Sequence, residues 1–222
     1  MIKEINLLKK YPKTKRDLSK RGNEKTEEDR IIARRFDKEF FDGDRKNGYG
    51  GYYYNSKFWT EVVKDLNNFY KLKNGSKILD IGCGKGFMLF DFMKLNPNFV
   101  LEGIDISDYA ITNAVPEVKK FLKVGDAKSL PYEDNSFDLV ISINTTHNLE
   151  INQCKKALSE MERVSRKDKY LIVDAYSNEI EKDRIFAWNL TAKTILSTNE
   201  WISLFEEAGY TGHYYWFEPW KK

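Results

Sequence analysis

The sequence predicts an α/β protein built on a doubly wound, mostly parallel sheet, preceded by a helical cap and a lid loop. From Lys77 onward, short apolar runs alternate with helical segments. These runs lack the apolar and polar alternation of a sheet with one solvent-exposed face, so helices are expected on both faces. Because 222 residues suffice for one domain with an accessory segment, we expect the cap and lid over residues 1–60 and the α/β core over residues 61–222.

Two amphipathic helices are predicted in the cap. Apolar residues recur every four positions over about residues 24–41, and Thr26 and Asp29 are spaced as a capping box at the start of this helix. A second helix is predicted after Asn55 or Ser56, since either residue is a good N-cap. Its apolar stripe comprises Trp59, Val62, Val63, Leu66 and Phe69.

The segment between these helices, Asp42–Asn55, combines four glycines with four tyrosines. Glycine permits backbone conformations that other residues avoid, so the segment is predicted to be a loop. Because it precedes the core, it is expected to fold across the strand ends as a mobile lid whose tyrosines contact a ligand. The alternative is a loop that packs permanently against the sheet.

The core is predicted from its apolar runs and the helical patterns between them. The predicted strands are KILDIG, VLEGIDI, FLKVGDA, FDLVISI and YLIVDAY, and the predicted helices are about Phe87–Leu95, a short helix ended by Pro116, about Asn152–Val164 and Glu200–Ala208. The last run, GHYYWF, is predicted as a strand that lies antiparallel at the edge of the sheet.

Composition disfavours several classes of protein. The two cysteines, Cys83 and Cys154, and two histidines are too few for a disulfide framework or a structural metal cluster, so no metal site is expected. No apolar run is long enough to span a membrane, and the first residues do not read as a signal peptide, so a cytoplasmic protein is predicted. Residues 1–46 hold 15 basic and 10 acidic side chains. Because the acids interleave with the bases, nucleic acid is the less favoured partner.

A glycine-rich turn, DIGCGKG at residues 80–86, follows the first core strand directly. Glycine there lets the backbone approach a ligand closely. The pattern is D-x-G-x-G-x-G, whereas folds that bind dinucleotides carry G-x-G-x-x-G, and Phe87 stands where their third glycine would be. Lys85 is followed by Gly86 and not by Ser or Thr, which excludes a Walker loop. The turn therefore indicates a nucleotide-like cofactor that has no phosphate.

Acidic residues end the next two predicted strands. Asp105 comes about twenty residues after the glycine turn, where a carboxylate can accept hydrogen bonds from both hydroxyls of a ribose. Asp126 ends the third strand, where its side chain could reach the exocyclic amine of adenine while the backbone of Ala127 contacts the ring. Each acid alone could be an ordinary turn residue. Together, and in this order, they indicate an adenosine moiety.

With these motifs the sequence resembles the class I S-adenosylmethionine-dependent methyltransferases, in particular the small-molecule family that includes the ubiquinone-biosynthesis type. The matching segments are ILDIGCGKG, GIDIS, VGDAKSLPYEDNSFDLVISINTTHNL and ALSEMERVSRKDKYLIV, which span roughly residues 76–176 in family order. The resemblance implies a Rossmann-like fold, methyl-transfer activity and S-adenosyl-L-methionine as the cofactor.

The resemblance also implies a role for each motif. Asp80, Gly82, Cys83 and Gly84 would lie by the methionine part of the cofactor, Asp105 and Ile106 would flank the ribose and adenine, Asp126 and Ala127 would meet the adenine, and Asn144 would face the methionine part or the methyl acceptor. The family's two-stranded hairpin at the sheet edge has little room here. One of its strands is expected to be missing or to come from around Thr194–Ser197.

Two catalytic candidates are predicted on the acceptor side. His147 follows the fourth strand, where family members often carry a histidine that faces the substrate, and it is a candidate base or substrate contact. The alternative is a histidine that closes its loop by hydrogen bonding. Tyr49 is a candidate in an aromatic wall or a cage for a cationic amine, with core packing as the alternative for most rings. The other rings considered are Tyr52, Tyr53, Tyr54, Trp188, Tyr214, Trp216 and Trp220.

The predicted function is methyl transfer to an oxygen or nitrogen atom of a small-molecule acceptor. The acceptor pocket is expected to form from the first sixty residues and the segment from about Ser177 to Thr198. One alternative is a methyltransferase that acts on RNA or protein and docks through the basic N-terminal arm. Another is a protein that binds the cofactor without catalysing a reaction.

Overall fold

A sheet of seven parallel strands lies at the centre of the computed structural model, which describes residues 2–12 and 25–217. Its strands are β1 (Lys3–Glu4), β2 (Lys77–Ile81), β3 (Val100–Asp105), β4 (Leu122–Val124), β5 (Phe137–Ile143), β6 (Ser165–Val173) and β9 (His213–Trp216), in the spatial order β1-β9-β6-β5-β2-β3-β4. Two further strands, β7 (Ala175–Tyr176) and β8 (Leu196–Ser197), pair with each other in a small separate sheet.

Helices cover both faces of the seven-stranded sheet. They are α1 (Glu27–Ala33), α2 (Lys38–Phe41), α3 (Ser56–Tyr70), α4 (Phe87–Leu95), α5 (Asp108–Thr112), α6 (Pro116–Lys119), α7 (Ile151–Val164), α8 (Glu179–Trp188) and α9 (Thr198–Ala208). One apolar core packs α3, α4 and α6 on the sheet, and a second packs α7 and α9 on the opposite face.

The alternation of the central strands explains these two cores. In β2, Ile78 joins the core under α3 and α4, while Leu79 joins the core under α7 and α9, because successive side chains of a strand point to opposite faces. Both residues are fully buried, as a parallel sheet covered on two sides requires. The predicted α/β, doubly wound, mostly parallel fold is thereby confirmed.

The prediction for the last strand is wrong in both direction and position. β9 pairs in parallel with β6, with Tyr170 opposite His213, and β1 covers its other side. Helix α9 lies between β6 and β9 in the chain, so the connection crosses over and the chain returns in the same direction. The segment around Thr194–Ser197 does not supply the missing edge strand, because β8 pairs with β7. The outer edge strand comes instead from the N-terminal segment.

The single helix predicted over residues 24–41 is also wrong, because two helices occupy this stretch. The capping box of Thr26 and Asp29 is confirmed at the start of α1. Phe36 adopts a left-handed backbone conformation with φ of 51°, and Asp37 caps α2 by accepting a hydrogen bond from Glu39 N. The carbonyl of Phe36 accepts a hydrogen bond from Ser107 Oγ. A tertiary contact thus accompanies the break between α1 and α2, which the apolar periodicity of the sequence did not predict.

The second cap helix matches its prediction more closely. α3 begins after Asn55, whose side chain caps Lys57 N, and Val62 is fully buried as part of the predicted stripe. Phe69 departs from the stripe, since it is 41% exposed and packs edge-on against His213. Helix α3 packs with α4, and β1 joins the core sheet, so elements from before and after residue 60 share the same layers. The predicted division into a cap and a core at residue 60 stays a prediction.

Pro116 has the opposite role to the one predicted. The short helix α5 ends at Thr112, and Pro116 is the first residue of α6. Proline is well suited to that position because the first helical N–H has no partner within the helix. Within the described ranges, no helix is long and apolar enough to cross a lipid bilayer.

Candidate functional site

The carboxyl ends of β2, β3, β4 and β5 lie side by side at one edge of the sheet, which we call the cofactor edge after the residues predicted there. In open α/β sheets this edge is where ligands bind. Every cofactor residue predicted from the sequence lies at or just after one of these strand ends: Asp80, Gly82, Cys83 and Gly84 by β2, Asp105 and Ile106 by β3, Asp126 and Ala127 after β4, and Asn144 after β5. The sheet therefore brings the predicted residues together.

The glycine turn after β2 packs directly on the end of β5. Gly82 has φ of 80°, and a Cβ atom at this position would overlap Oγ1 of Thr145. Gly84 has φ of 54°, and its hypothetical Cβ would lie 3.3 Å from Cε1 of Tyr52. The backbone of the turn is thus held between the end of β5 and a tyrosine of the predicted lid. At Gly82 only glycine satisfies both the conformation and the space.

Asp105 fixes the turn by accepting backbone hydrogen bonds. Its Oδ2 atom accepts from Gly84 N at 2.7 Å, and its Oδ1 atom accepts from Ser107 N at 2.8 Å. Burial raises the pKa of Asp105, and the two hydrogen bonds only partly offset this effect. Each carboxylate oxygen can accept a further hydrogen bond. The geometry therefore allows Asp105 to hold the turn and still accept from a ligand hydroxyl.

A second carboxyl group, that of Asp80, is buried at the end of β2. Burial, with a smaller contribution from Asp105, raises the pKa of Asp80 to about 8. Two buried carboxyl groups beside one turn repel an anion and favour a cation. Because any charge that these two groups carry is negative, they fit a cofactor with a sulfonium and an ammonium group better than they fit the pyrophosphate of a dinucleotide.

The ends of β3 and β4 offer an apolar surface next to these carboxyl groups. Ile106 is 57% exposed directly after Asp105, although isoleucine is usually buried. Asp126 is held by its neighbour Lys128, whose backbone N–H and ammonium both contact the Asp126 carboxylate. Ala127 packs partly buried against the core beneath. An exposed apolar side chain beside a ribose-binding acid fits a site for an adenine ring.

Asn144 supplies an unsatisfied hydrogen-bond acceptor at the end of β5. It adopts a left-handed conformation with φ of 52°, and its Oδ1 atom is buried without a hydrogen-bond partner. Such an atom is costly to bury unless a ligand donates to it. Cys83 differs, since its side chain is buried in the apolar core, so only its backbone faces the turn. Burial also raises the pKa of the Cys83 thiol, which keeps it protonated and unreactive.

The segment 25–54, which we call the strap, crosses this edge of the sheet. It contacts the end of β3 through the hydrogen bond to Phe36, and it reaches the glycine turn where Lys85 Nζ donates to Asp42 Oδ2 at 2.6 Å. Tyr52 lies over Gly84, and its ring centroid is 4.6 Å from that of Phe87. The predicted lid segment is therefore in contact with the cofactor edge.

The aromatic residues of the lid do not form one cage. Tyr49 is 42% exposed and its ring lies 4.3 Å from that of Tyr52, so these two form a wall over the turn. Tyr54 instead donates a hydrogen bond to Asp91 on α4. Among the distant candidates, Trp216 packs in the core beneath α9, and Trp220 lies outside the described residues. The catalytic role predicted for Tyr49 stays a prediction.

His147 lies in the short turn Thr146–Asn148 after β5 and is only 2% exposed. Its Nδ1 atom accepts a hydrogen bond from the backbone N–H of Asp174 at 3.0 Å, and its carbonyl accepts from Lys193 N and Thr194 N. Burial lowers the pKa of His147, despite an opposing effect of the Asp174 charge. The histidine is therefore neutral, with its basic nitrogen occupied. This geometry favours the loop-closing role that the sequence left as an alternative.

Side chains that follow or belong to α1 attach the strap to the segment 186–192, and the sequence does not predict these contacts. Arg30 donates to the carbonyls of Phe186 and Asn189, and Arg34 donates to the carbonyl of Ala192. The amide of Asn189 in turn donates to the buried carboxylate of Asp174. A side chain that binds a distant backbone carbonyl has no signature in the sequence.

A model of a methyltransferase domain family matches residues 72–209 of the chain. Among curated proteins, the chain is 33% identical over 147 residues to a tRNA (carboxymethyluridine(34)-5-O)-methyltransferase of Arabidopsis thaliana, covering 65% of this chain and 34% of the relative. It is 26% identical to the 27-O-demethylrifamycin SV methyltransferase of Amycolatopsis mediterranei, covering 68% and 59%. The chain thus spans less than two thirds of the length of either relative.

Solved structures share the fold. The YcgJ protein of Bacillus subtilis superposes with a TM-score of 0.54 at 20% identity, over 66% of each chain. A putative methyltransferase of Haloferax volcanii, solved in complex with the Trm112 methyltransferase activator, gives a TM-score of 0.51 at 21% identity, over 66% of this chain and 71% of the other. At these identities the similarity is one of architecture.

Proposed function

Because the chain belongs to the methyltransferase domain family, we propose that it transfers a methyl group from S-adenosyl-L-methionine to an oxygen or nitrogen atom of a small-molecule acceptor. The observation that carries the proposal is the pair of buried carboxyl groups, Asp80 and Asp105, beside a glycine turn with an exposed Ile106 next to them. This arrangement suits a cationic adenosine derivative better than a phosphate-bearing cofactor.

The residues of the site would bind the cofactor in three parts. The free acceptor capacity of Asp105 suits the ribose hydroxyls, and Ile106 offers its apolar surface to the adenine. The Asp80 carboxyl group suits the positively charged methionine part, and the unpartnered Oδ1 atom of Asn144 suits an ammonium donor. When bound, the sulfonium supplies an activated methyl group. The protein then has to align the acceptor and exclude water.

The strap supplies the exclusion of water. Tyr52 and Tyr49 lie over the turn, and the strap attaches to the segment 186–192 through Arg30 and Arg34. In this proposal the strap and that segment line the acceptor pocket. His147 acts as a positioning residue that holds the loop after β5 against β6, and any proton of the acceptor is released to solvent once the methylated product leaves the site.

The test of this function combines binding and turnover. Calorimetry of the purified chain should detect binding of S-adenosyl-L-methionine and no binding of NAD. Incubation with the methyl-labelled cofactor and a metabolite extract, followed by mass spectrometry, should identify a labelled small molecule. Tight cofactor binding with no label transferred to any small molecule, RNA or protein would instead support a non-catalytic cofactor-binding protein.

A second candidate acceptor is RNA, which two observations favour. One relative is a tRNA methyltransferase, and the basic excess of residues 1–46 lies entirely in residues 1–24, since residues 25–46 contain seven basic and seven acidic side chains. The strap itself is therefore not the basic surface. RNA binding that weakens steeply with salt, and that is lost when Lys13, Lys15 and Arg16 are replaced by Gln, would support this acceptor.

A further inference from the structure

Lys85 is a buried lysine inside the glycine turn that has no part in the cofactor contacts proposed above. It is 5% exposed, and its Nζ atom donates to Asp42 Oδ2 at 2.6 Å and to the carbonyl of Tyr52 at 3.0 Å. Both partners belong to the strap. A lysine in a phosphate-binding turn would aim its ammonium at the ligand, whereas this ammonium is directed at a loop 43 residues away in the sequence.

Asp42 is the centre of the contact. Besides the ammonium of Lys85, its carboxylate accepts a hydrogen bond from Tyr52 N at 2.9 Å and another from Tyr109 OH at 2.8 Å. Burial acts to raise the pKa of Asp42, but the hydrogen bonds from Lys85, Tyr52 and Tyr109 outweigh it and leave the pKa lowered. The carboxylate is thus ionised and satisfied by three elements: the strap, the glycine turn and α5.

The cluster of Asp42, Lys85, Tyr52 and Tyr109 binds the strap to the glycine turn. Tyr52, whose backbone bonds to both Lys85 and Asp42, places its ring over Gly84. The ring of Tyr52 therefore lies next to the backbone that a ligand along the turn would contact. Since removing one partner of a buried ion pair is strongly destabilising, loss of Lys85 or of Asp42 should weaken the attachment of the strap to the turn.

We propose that Lys85 is a positioning residue that latches the strap over the cofactor through Asp42, so that opening of this pair controls entry of the cofactor and release of its product. The cofactor part of this statement rests on the proposed function. The latch itself concerns only residues of the chain, so it can be tested without a ligand.

Trypsin measures the opening, because cleavage after the exposed residues Arg45 and Lys46 requires the backbone of the strap around them to unfold. Cleavage after these two residues is followed by mass spectrometry in the wild type, Lys85→Met, Asp42→Asn and the double variant. The matched control is Lys169→Met, which removes another buried lysine, paired at 2.7 Å with Glu162 away from the cofactor edge. Circular dichroism and melting curves establish that each variant is folded.

We expect Lys85→Met and Asp42→Asn each to increase the rate of cleavage by about tenfold or more. The double variant should be cleaved at nearly the same rate as each single variant, because both substitutions remove the same contact. Lys169→Met should cleave at the wild-type rate. The milder Tyr109→Phe, which removes one hydrogen bond from the cluster, keeps the test available if Lys85→Met does not fold. Equal cleavage in the wild type and the latch variants would overturn the proposal, as would additive effects in the double variant.

The ligand arm uses S-adenosylhomocysteine as the probe. The latch predicts that its dissociation, measured by stopped-flow fluorescence, is faster in Lys85→Met and Asp42→Asn than in the wild type, in proportion to the cleavage rates. Unchanged dissociation in variants that cleave faster would refute the coupling to the cofactor. If the wild type binds no S-adenosylhomocysteine, the proposed function fails, while the cleavage series still decides whether the latch exists.

Discussion

Two regions of this molecule are held together in different ways. One is the cofactor edge, and the other is the proposed acceptor side, where α1 contacts the segment 186–192. At the cofactor edge, residues at the strand ends make close contacts: the short side chain of Asp105 accepts from Gly84 N, and Gly82 packs on Thr145. On the acceptor side, long side chains of α1 reach backbone carbonyls, as Arg30 does at Phe186. The first kind of contact depends on glycines and a short side chain at fixed strand ends, and the second on long side chains that extend from a helix.

This difference indicates which half of the site can vary. A turn that only glycine fits, and an acid that binds two backbone amides, leave little freedom for substitution. A side chain bound to a carbonyl can be replaced while the carbonyl remains. We therefore expect substitutions at the cofactor edge to affect binding of the cofactor strongly, and substitutions on the acceptor side to leave it nearly unchanged.

The largest effect is expected for Gly82→Ala. The added Cβ would overlap Thr145 Oγ1 while φ is 80°, so cofactor affinity should fall by about a hundredfold or more. Gly75→Ala is the matched control, because Gly75 has φ of 81° but nothing within 4 Å of its Cβ position. Calorimetry should show near wild-type affinity for the control. Equal losses in both variants would mean that backbone strain alone, and not the contact with Thr145, accounts for the effect.

Asp105→Asn should have the next largest effect. The amide removes a charge and cannot accept at both oxygen positions, so affinity for S-adenosyl-L-methionine should fall by about one to two orders of magnitude. Asp134→Asn is the control, since Asp134 precedes β5, away from the carboxyl ends of the strands, and pairs with Arg163, so its loss should be about twofold or less. Unchanged calorimetric affinity for Asp105→Asn would contradict the assignment of the ribose.

Asp80→Asn should change how binding depends on pH. With a pKa of about 8 in the free protein, Asp80 is mostly protonated at pH 7 and ionises as the pH rises. The ratio of wild-type to variant affinity for the cofactor should therefore increase by about tenfold from pH 6.5 to pH 9. The ratio is the quantity to compare, because the amino group of the cofactor also titrates in this range and affects both proteins alike. Titrations of both proteins check the prediction, and a ratio that does not change with pH would show that the Asp80 charge does not contact the ligand.

The same substitution should stabilise the free protein. A raised carboxyl pKa means that the folded state holds a proton that the unfolded state has lost, so the wild type loses stability as the pH rises from about 4 to about 8. Asp80→Asn removes this loss, and its melting temperature should exceed that of the wild type most clearly at pH 8 and above. A lower melting temperature at pH 8 would argue that Asp80 is stabilised by contacts that Asn cannot make.

The smallest effect on the cofactor is expected for His147→Ala. Cofactor affinity should stay within about twofold, while the free energy of unfolding should fall by about 1–3 kcal/mol, because the backbone N–H of Asp174 loses its buried acceptor. Turnover should fall without a change in the pH at which it is half-maximal, since His147 is proposed to position a loop. Loss of the acidic limb of the pH–rate profile would instead identify His147 as a base.

The sequence predicted the cofactor edge well because its signals are local. The turn at residues 80–86, the acid Asp105 and helix α4 each follow from residues that are adjacent or one helical turn apart, and α4 has the predicted bounds Phe87–Leu95. Their assembly at one edge follows from the parallel topology. What each residue binds stays a prediction, because it depends on the ligand.

The errors arose where distant residues decide the structure. Apolar periodicity continued through Phe36, but a hydrogen bond from Ser107 accompanies a turn at that point. The direction of β9 depends on the path of the α9 crossover, and its neighbour β1 lies at the other end of the described chain. No local sequence pattern predicts the pairing of Asp42 with Lys85. From the sequence alone, Lys85 shows only that the turn is not a Walker loop.

The pairing of β1 with β9 bears on the order in which the chain assembles during synthesis. β1 is made early, yet its partner is among the last of the described residues, and contacts so distant in sequence form late. Until β9 is made, the edge of β6 is open. Tyr170 on β6 bonds to the carbonyl of Ile5 and to Leu7 N, so the N-terminal segment can anchor beside that edge before β9 arrives. On the ribosome, this early anchor would keep the open edge from pairing with another nascent chain.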